Sequence, residues 1–315
     1  MAENKYTATD LKEMQQWPLE RKIQVSQTRI LEYGMKLGED KIFVAFSGGK
    51  DSTVLLDLVR RVWPECPAVF IDTGLEYPEV KEFVKSHENV EIIRPKKTFK
   101  QVIEEFGYPI VSKKIAGYVA TAKRNPNSAR AKFLSGEYDS KIFGFGDGKW
   151  NFLVDAPFKI SDYCCDVMKK QPNHHYSKET GRFPFLGTLA CESIARRNEW
   201  MRSGCNLFDS KKPTSKPISF WTDNDIFEYI TRFEIPYCPL YGDIVKDKKG
   251  NWTTTGIHRT GCIFCGFGCH REKCPNRFQQ LKETHPKIWE YCMKSWDEGG
   301  LGLREVLEYI NVPVE

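Results

Sequence analysis

The stretch at residues 41–53, KIFVAFSGGKDST, constrains the fold more than any other part of this sequence. An apolar run at residues 42–46 leads into two glycines, and apolar residues then recur at helical spacing over residues 54–59. The pattern predicts a buried strand, a glycine turn and a helix. The glycines let the backbone approach a bound group closely, and the helix N-terminus adds N–H groups and positive potential. The stretch therefore predicts a polyphosphate-binding loop.

The side chains of this loop suit a magnesium-bound polyphosphate. Lys50 supplies a positive charge, and Asp51 is expected to hold Mg²⁺ either directly or through water, since this ion keeps much of its water shell. The other loop positions expected around the phosphates are Ser47, Gly48, Gly49, Ser52 and Thr53. The alternative interpretation is a serine–glycine turn that only caps a helix.

The spacing of the glycines differs from that of the G-x-x-x-x-G-K-[ST] P-loop. SGGKDS resembles instead the pyrophosphate loop of the ATP pyrophosphatases, in the adenine-nucleotide alpha-hydrolase superfamily. Those enzymes cleave ATP between its α and β phosphates and transfer AMP to an acceptor oxygen. The resemblance implies ATP and Mg²⁺ as cofactors, with Lys50 and Asp51 as catalytic residues.

Strands and helices alternate after the loop. A second strand at residues 68–71 runs into Asp72, Thr73 and Gly74, and a third is expected at residues 90–93. The alternation predicts a Rossmann-like α/β fold, a parallel sheet with helices on both faces and ligands at the carboxyl ends of strands. DTGLEYPEV resembles the second-strand motif of the sulfate-activating and sulfonucleotide-reducing branch of the superfamily. The resemblance implies that residues 72–74 border the nucleoside; a plain strand-ending turn is the alternative.

The order of these patterns predicts three segments: an N-terminal helical segment at 1–38, a nucleotide-binding domain at 39–240, and a cysteine-rich helical segment at 241–315. Residues 98–123 are expected to be helical. Residues 125–160 are rich in Gly, Asn, Ser and aromatics and predict a mobile insertion, where Arg124, Arg130 and Lys132 either meet a polyanion or form a solvated face.

Composition places the chain in the cytoplasm. No apolar run is long enough for a membrane span, and the polar N-terminus lacks a signal-peptide core. The net charge of +5 suits a polyanionic ligand without by itself indicating nucleic acid. The cytoplasm keeps thiols reduced, so the eleven cysteines predict metal or redox chemistry rather than disulfides.

The cysteines are clustered. Cys164 and Cys165 are adjacent, which is awkward for a structural zinc pair, and Cys262 and Cys265 form a C-x-x-C. The string CC-x-x-x-K-x-x-P with a later C-x-x-C is similar to the cluster signature of assimilatory adenylyl-sulfate reductases. The resemblance implies a 4Fe-4S cluster on these four cysteines. A zinc site formed by Cys262, Cys265, Cys269 and Cys274, with His270 as a substitute ligand, and a cluster that uses Cys269 or Cys274 stay open.

A further strand end carries basic residues. A strand up to Leu186 meets Gly187, and a helix starting near Glu192 brings Arg196, a residue type that pairs bidentately with phosphate or sulfate. ES-x-x-R resembles the substrate-binding element of sulfonucleotide reductases, which implies site roles for these three residues. Thr188 stands where those enzymes tend to have arginine. Surface arginines on a helix are the alternative.

Three functions are compatible with these motifs. The intact loop favours an enzyme that adenylates an acceptor for sulfur transfer; the most similar group is the ATP-pyrophosphatase component of DNA phosphorothioation. That resemblance implies a nucleic-acid acceptor and a cysteine desulfurase as sulfur donor. The order of the motifs predicts that Cys191 and Cys205 are the cysteines nearest the ligand edge, and the oligomeric state stays open. The alternatives are a phosphoadenylyl- or adenylyl-sulfate reductase, whose nucleophilic cysteine normally lies near a flexible C-terminus rather than at a position such as Cys292, and an ATP sulfurylase-like subunit.

Overall fold

A computed structural model describes residues 4–137, 148–208 and 212–315 of the chain. Across these ranges, ten strands are present: β1 Ile42–Ala45, β2 Ala68–Ile71, β3 Val90–Ile93, β4 Ile110–Val111, β5 Phe183–Leu186, β6 Asn206–Leu207, β7 Thr214–Ser215, β8 Ile244–Lys246, β9 Trp252–Thr254 and β10 Gly266–Phe267. The α-helices in the same ranges are α1 Ala8–Gln15, α2 Leu19–Leu37, α3 Lys50–Arg60, α4 Pro78–Lys85, α5 Phe99–Phe106, α6 Lys113–Arg124, α7 Ala129–Ser135, α8 Gln171–Thr180, α9 Ile194–Ser203, α10 Asp223–Arg232, α11 Arg277–Thr284, α12 Pro286–Met293 and α13 Leu303–Tyr309.

The chain divides into two compact units that are discontinuous in sequence. The sheet unit comprises Met1–Asp72, Glu76–Arg94 and Pro172–Gly261, and the cysteine unit comprises Thr73–Leu75, Pro95–Gln171 and Cys262–Glu315. The boundaries expected at residues 38 and 240 do not coincide with those of the units, so the three-segment division stays a prediction. Over the described ranges, no helix combines the length and apolarity that a membrane span needs.

The sheet unit contains a six-stranded sheet in the order β3-β2-β1-β5-β7-β6. All neighbouring strands are parallel except β6, which runs antiparallel to β7. Because β2 and β5 flank β1 in parallel, the residues after these three strands lie at one edge of the sheet. That edge carries the loop after β1, Asp72 after β2 and Gly187 after β5. The predicted Rossmann-like α/β fold is confirmed.

Helices cover both faces of this sheet. Alternate residues of β1 point to opposite faces: Val44 belongs to a large core with residues of α2, α3, α4 and α10, whereas Phe43 packs with Val69 and Tyr176 of α8 on the other face. Phe43 and Tyr176 meet edge to face with ring centroids 4.9 Å apart. The N-terminal helical segment is broken around Pro18, since α1 ends at Gln15 and α2 begins at Leu19.

In the cysteine unit, a short extended segment brings distant parts of the chain together. Tyr108 bridges Ile160, and β4 next to it pairs in parallel with β10, so that Ile110 faces Gly266. Cys164 and Cys165 follow Ile160 by a few residues, and Cys265 immediately precedes β10. The segment therefore places both cysteine motifs in one region. The expectation of continuous helix over residues 98–123 is wrong here, because β4 separates α5 from α6 to make this pairing.

The predicted insertion at residues 125–160 is only partly described, since residues 138–147 lie outside the described ranges. Its described part contains a helix and a 3₁₀ turn. The helix α7 buries Phe133 and Leu134, and a 3₁₀ turn at Asn151–Asp155 buries Leu153 completely. Ser128 caps α7 by accepting a hydrogen bond from the Ala131 N–H at 3.2 Å. Helical caps and apolar anchors therefore give these parts regular structure despite their polar composition, and the mobility of the insertion stays a prediction.

Candidate nucleotide site and cysteine cluster

The loop between β1 and α3 requires glycine at one position for two physical reasons. Gly48 has φ +70°, a conformation that residues with a Cβ rarely adopt. A Cβ placed there would also lie 2.8 Å from Val80 Cγ1 and 2.9 Å from Val84 Cγ2, closer than carbon atoms can approach. The loop thus folds tightly over α4. Gly49 is the N-cap of α3 and makes no side-chain cap hydrogen bond, which leaves the first-turn amides to other partners.

The loop hydroxyls are directed towards the loop backbone. The Ser52 hydroxyl lies 3.0 Å from that of Ser47, accepts from the Ser47 N–H at 3.2 Å and donates to the Gly49 carbonyl at 2.9 Å. Thr53 donates to the same carbonyl at 3.1 Å and is almost fully buried. These bonds shape the loop before any ligand binds, and Ser47 is the more open of the three hydroxyls.

Lys50 is a buried cation held by two carboxylates. Its Nζ donates to Asp51 Oδ1 at 2.7 Å and to Asp223 Oδ1 at 2.5 Å, and its side chain is only 4% exposed. Burial opposes the charge, but the two carboxylates outweigh it and raise the pKa of Lys50. The ammonium is therefore charged at neutral pH. It lies between two oxygen donors at the start of a helix, where an anion is favoured.

Asp223 was not among the predicted site residues, and a buried ion pair fixes its position. Thr222 caps α10 in a capping box with Asp225. Asp225 also accepts from Lys22 of α2 at 2.6 Å, and the Lys22 side chain is 1% exposed. Breaking such a buried pair costs about 3–5 kcal/mol because it leaves an uncompensated charge. The pair holds the first turn of α10, and hence Asp223, against the loop.

Two further unpredicted residues, Tyr241 and Thr260, contact the loop. The Tyr241 hydroxyl accepts from the Lys50 N–H at 3.0 Å and lies 3.4 Å from the Thr260 hydroxyl. A Cβ at Gly49 would be 3.0 Å from that Thr260 oxygen. Burial raises the pKa of Tyr241, so its hydroxyl stays protonated and neutral. One loop amide thus already has a neutral oxygen as its acceptor, a position that a phosphate oxygen would compete for.

A pair of arginines shares one carboxylate beside the loop. Glu192 accepts from the Leu189 N–H at 3.0 Å and forms ion pairs with Arg196 and with Arg259, the latter at 3.3 Å. Burial, followed by the nearby charge of Arg259, lowers the pKa of Arg196, and the Asp51 carboxylate partly offsets this. Arg259 was not predicted from the sequence. Its only advance signal is its position three residues before the C-x-x-C motif.

The remaining predicted ligand-edge residues lie at strand ends. A Cβ at Gly187 would be 3.1 Å from the Asp51 carbonyl, so this glycine permits close contact between the end of β5 and the first turn of α3. The Asp72 carboxylate pairs with Lys81 at 2.6 Å and with Arg94 at 3.4 Å. Thr73 and Gly74 belong to the cysteine unit, where the Thr73 hydroxyl accepts from the Leu75 N–H at 3.2 Å.

The two cysteines expected near the nucleotide differ in their burial. Cys205 is almost completely buried, with its sulfur 3.6 Å from the Ser219 hydroxyl, so its thiol is not exposed to a ligand. Cys191 is an exposed residue whose thiol donates to the Trp221 carbonyl at 3.7 Å. Partial burial of its sulfur, and next the charge of Asp223, raise the pKa of Cys191. Asp51 and Lys50 also influence this thiol, which places it beside the loop.

The four cysteines predicted as cluster ligands all lie in the cysteine unit, close enough for their charges to interact. The sulfurs of Cys164 and Cys165 are 4.0 Å apart. The hydrogen bond from Cys164 lowers the pKa of Cys165, and the ammonium groups of Lys113 and Lys169 lower it further. Burial, followed by the charge of Cys262, raises the pKa of Cys265 to about 11. Four thiols beside two cations fit an anionic iron–sulfur cluster in donor chemistry.

The side chains are not arranged around a common centre. Among the described residues, no group of three or more His, Cys, Asp and Glu side chains is placed to hold a metal ion. This applies to the four predicted cluster ligands and to the local zinc alternative alike. Cys269 has a separate structural role, since its thiol is buried and donates to the Gly266 carbonyl at 2.9 Å. Cys274 is exposed.

Comparison with known proteins identifies the family. The model of the phosphoadenosine phosphosulfate reductase domain matches residues 41–129 and 134–267, which include the loop, the two strand-end elements and both cysteine motifs. The chain belongs to this family. The match confirms the resemblance seen in the motifs. The relatives of this chain include enzymes named for different reactions. Membership of the family therefore does not by itself identify the reaction of this protein.

Individual relatives are distant. An uncharacterised protein of Methanocaldococcus jannaschii is 24% identical over 259 residues, which cover 79% of this chain and 46% of that protein. The chain thus spans about half the length of this relative. The adenosine 5′-phosphosulfate reductase of Halalkalibacterium halodurans is 25% identical over 67% of this chain and 73% of its own. The U34-tRNA thiolase NcsA of Methanococcus maripaludis, solved with its 4Fe-4S cluster, gives a TM-score of 0.37 at 14% identity, covering 93% of this chain and 81% of that one. At such a TM-score the similarity is too low to assign shared chemistry.

Proposed function

We propose that this protein is an ATP pyrophosphatase that adenylates an acceptor for sulfur transfer. The observation that carries the proposal is the complete phosphate loop around Lys50, a charged and buried ammonium at the N-terminus of α3. A sulfonucleotide has a singly charged sulfate at the position of the β phosphate and no γ phosphate, so it does not need a site for a highly charged, magnesium-bound chain of phosphates. A triphosphate does, and a fixed cation in a partly desolvated site stabilises the charge that develops as pyrophosphate leaves.

In the proposed reaction, an acceptor oxygen attacks the α-phosphorus of ATP. The bond from that phosphorus to the oxygen bridging the α and β phosphates breaks, and pyrophosphate leaves with the electron pair. Lys50 and the amides around Gly48 and Gly49 hold the β and γ phosphates. Arg196 and Arg259, which share the Glu192 carboxylate, hold the α phosphate, since arginine pairs bidentately with oxyanions.

Magnesium fits the same site by donor chemistry. The carboxylates of Asp51 and Asp223 both contact the Lys50 ammonium, so their oxygens already share one cation. Mg²⁺ prefers carboxylate and phosphate oxygens with several waters. In the nucleotide complex these two carboxylates would hold the metal, and Lys50 would transfer from them to the phosphates.

An iron–sulfur cluster on Cys164, Cys165, Cys262 and Cys265 is part of the proposal. Its support is the donor set, four thiols in one compact unit with Lys113 and Lys169 nearby. When bound, such a cluster would supply iron that binds the incoming sulfur. The sulfur itself would come from a cysteine desulfurase partner. The four cysteine thiols would lose their protons and act as the ligands, and the two lysine ammonium groups would balance the negative charge.

A sulfonucleotide reductase is the second candidate, favoured by the names of relatives such as the Halalkalibacterium halodurans enzyme. That reaction needs an accessible cysteine thiolate that attacks the sulfate sulfur and releases sulfite. Cys292 does not suit this role, because it is fully buried in α12 and burial raises the pKa of its thiol. An ATP sulfurylase-like activity would leave the cysteine pairs without a function.

The deciding experiment supplies the anaerobically purified protein, in separate reactions, with α-labelled ATP plus candidate acceptors and with phosphoadenylyl sulfate plus reduced thioredoxin. We expect pyrophosphate and labelled AMP from the first reaction and no sulfite from the second. The Asp51→Asn variant is the matched control, since it keeps the side-chain size and removes the metal-binding charge. Sulfite formation at an ordinary enzymatic rate, unaffected in Asp51→Asn, would replace the proposal with the reductase.

A further inference from the structure

The longest stretch of this sequence without an acidic residue is residues 106–136, in the cysteine unit. It contains six basic residues, namely Lys113, Lys114, Lys123, Arg124, Arg130 and Lys132. In the structure this stretch forms α6 and α7, which pack against each other as a helical hairpin. We call residues 113–135 the basic hairpin.

All six basic residues of the basic hairpin are exposed, while several of its apolar residues are buried. Ala116, Val119 and Phe133 form part of the inner face. Several of the outer cations contact neutral groups: Arg124 Nε donates to the Ala120 carbonyl at 3.1 Å, and Arg130 donates to the Thr121 hydroxyl at 2.9 Å. Their positive charge is not cancelled by these bonds, so the surface retains a strong positive potential.

Within the described part of the chain, two carboxylates approach this surface, fewer than its cations. The charge of Asp155 acts on Lys123, and a Cβ at Gly117 would be 3.1 Å from the Asp162 carboxylate oxygen. Lys123 itself donates to the Ala156 and Phe158 carbonyls at 2.9 and 3.0 Å, so it anchors the next segment. The other five cations outnumber the two approaching carboxylates.

The basic hairpin leads towards the cysteine pair. Lys113 is the first residue of α6, and its ammonium hydrogen-bonds the Cys165 thiol. Arg124 is the last residue of α6, eleven positions after Lys113, which corresponds to about 16 Å along the helix axis. Since eleven residues return to nearly the same side of an α-helix, both cations lie on one side of α6. A polyanion that follows this row therefore ends at the predicted sulfur-handling site.

Exposed aromatic rings accompany the cations. Phe152 is 40% exposed in the 3₁₀ turn that packs on α6, and Tyr163, 39% exposed, immediately precedes the cysteine pair. Cations that follow a phosphate backbone, together with aromatic faces on which bases stack, are the usual features of single-strand binding. A duplex would offer its phosphates but keep its bases stacked internally. Unpaired segments are the ordinary recognition targets in RNA.

We propose that the basic hairpin, with Phe152 and Tyr163, binds a single-stranded RNA segment and directs it to the cysteine pair; that this RNA is the acceptor rests on the proposed function. Phosphodiester groups would contact the cations of α6 and α7, and one or two bases would stack on the exposed rings.

The test is fluorescence anisotropy with the full chain and a labelled 15-nucleotide single-stranded RNA, its RNA duplex and a single-stranded DNA of the same sequence, over a range of salt concentrations. The variant replaces Arg124, Arg130 and Lys132 by Gln. The matched control replaces Lys12, Lys248 and Lys249 by Gln, which are exposed cations of the sheet unit. Both variants therefore have the same net charge.

We expect the hairpin variant to bind the single-stranded RNA at least tenfold more weakly, and the control variant to bind it within twofold of wild type. Three lost phosphate contacts should also reduce the slope of log K against log salt by about 2, at roughly 0.7 per phosphate of a single strand. Phe152→Leu, which keeps apolar bulk but removes the ring, should weaken binding several-fold without changing the salt slope.

Equal losses in the two triple variants would overturn the proposal, because net charge alone would then explain binding. Duplex RNA or single-stranded DNA bound more tightly than single-stranded RNA would overturn it as well. The proposed function is measured separately as release of pyrophosphate from ATP. If no pyrophosphate is released but RNA binding still depends on the basic hairpin, the proposed ATP reaction is rejected and the RNA site is retained. The two proposals can therefore fail independently.

Discussion

Replacing Lys50 by Ala tests the phosphate loop most directly. In the ligand-free structure the Lys50 ammonium makes two charge-assisted hydrogen bonds, at 2.7 Å to Asp51 and 2.5 Å to Asp223. When ATP binds, a phosphate oxygen replaces at least one of these carboxylates as the partner of Lys50. The contribution of Lys50 to the free energy of ATP binding is therefore the difference between two strong contacts. A hydrogen bond to a charged group contributes about 1.5–3 kcal/mol. The variant should therefore lose about 10- to 150-fold in ATP affinity, at 1.4 kcal/mol per tenfold.

Adenosine lacks phosphates, so its affinity should stay within about twofold of wild type. Isothermal titration calorimetry with ATP and adenosine gives both values, and thermal unfolding checks that the variant is folded. Asp51 and Asp223 are 22% and 48% exposed, so solvent screens the unpaired carboxylates and a large loss of stability is not expected. Lys85→Ala, which removes an equal charge from an exposed ion pair on α4, is the control. Equal losses for ATP and adenosine, or an equal loss in Lys85→Ala, would refute the reasoning.

Three other predictions concern metal, anion and thiol. Anaerobically purified protein should be brown, with about four irons per chain. The Cys262→Ser variant should lose this colour, whereas the control Cys66→Ser should keep it. Colourless protein that contains stoichiometric zinc would exclude the cluster. The Arg259→Ala variant should bind AMP and ATP more weakly, by a similar factor of about 10, because it lacks a charge-assisted contact to the α phosphate. An unchanged AMP affinity, measured by calorimetry, would contradict this. Burial and the charge of Asp223 raise the pKa of Cys191 above its ordinary value of 9.0, so Asp223→Asn should lower it and speed alkylation of Cys191 at pH 8. Slower alkylation of Cys191 in this variant, measured by site-resolved mass spectrometry, would contradict the predicted direction of the pKa change.

Features encoded by neighbouring residues were predictable from the sequence. The apolar run before SGGKDST, the helical spacing after it and the need for glycine at position 48 are local properties, and the structure has β1, the loop and α3 in this order. The cap at Thr222 was equally local, since its partner Asp225 is three residues away. The alternation of strands and helices was enough to predict the parallel sheet, because a parallel strand pair needs a crossover connection between its members.

Contacts between residues far apart in sequence were not predictable. Asp223 is 173 residues from Lys50, and Arg259 is far from Glu192, so neither contact leaves a periodic or spacing signal. The same holds for β4, whose partner β10 lies more than 150 residues away and whose pairing interrupts an expected helix. Cys191 and Cys205 were equivalent candidates in the sequence, and only burial separates them.

The sequence by itself determined the family, the phosphate loop and the identity of the thiols, because each depends on residue types at short, fixed spacings. Tertiary structure alone decided which charges meet at Lys50 and at Glu192, which cysteine stays exposed, and that both cysteine motifs fall in one unit. The physical reason is that burial and electrostatic pairing depend on three-dimensional neighbours, which are set by the packing of the whole chain rather than by any local pattern.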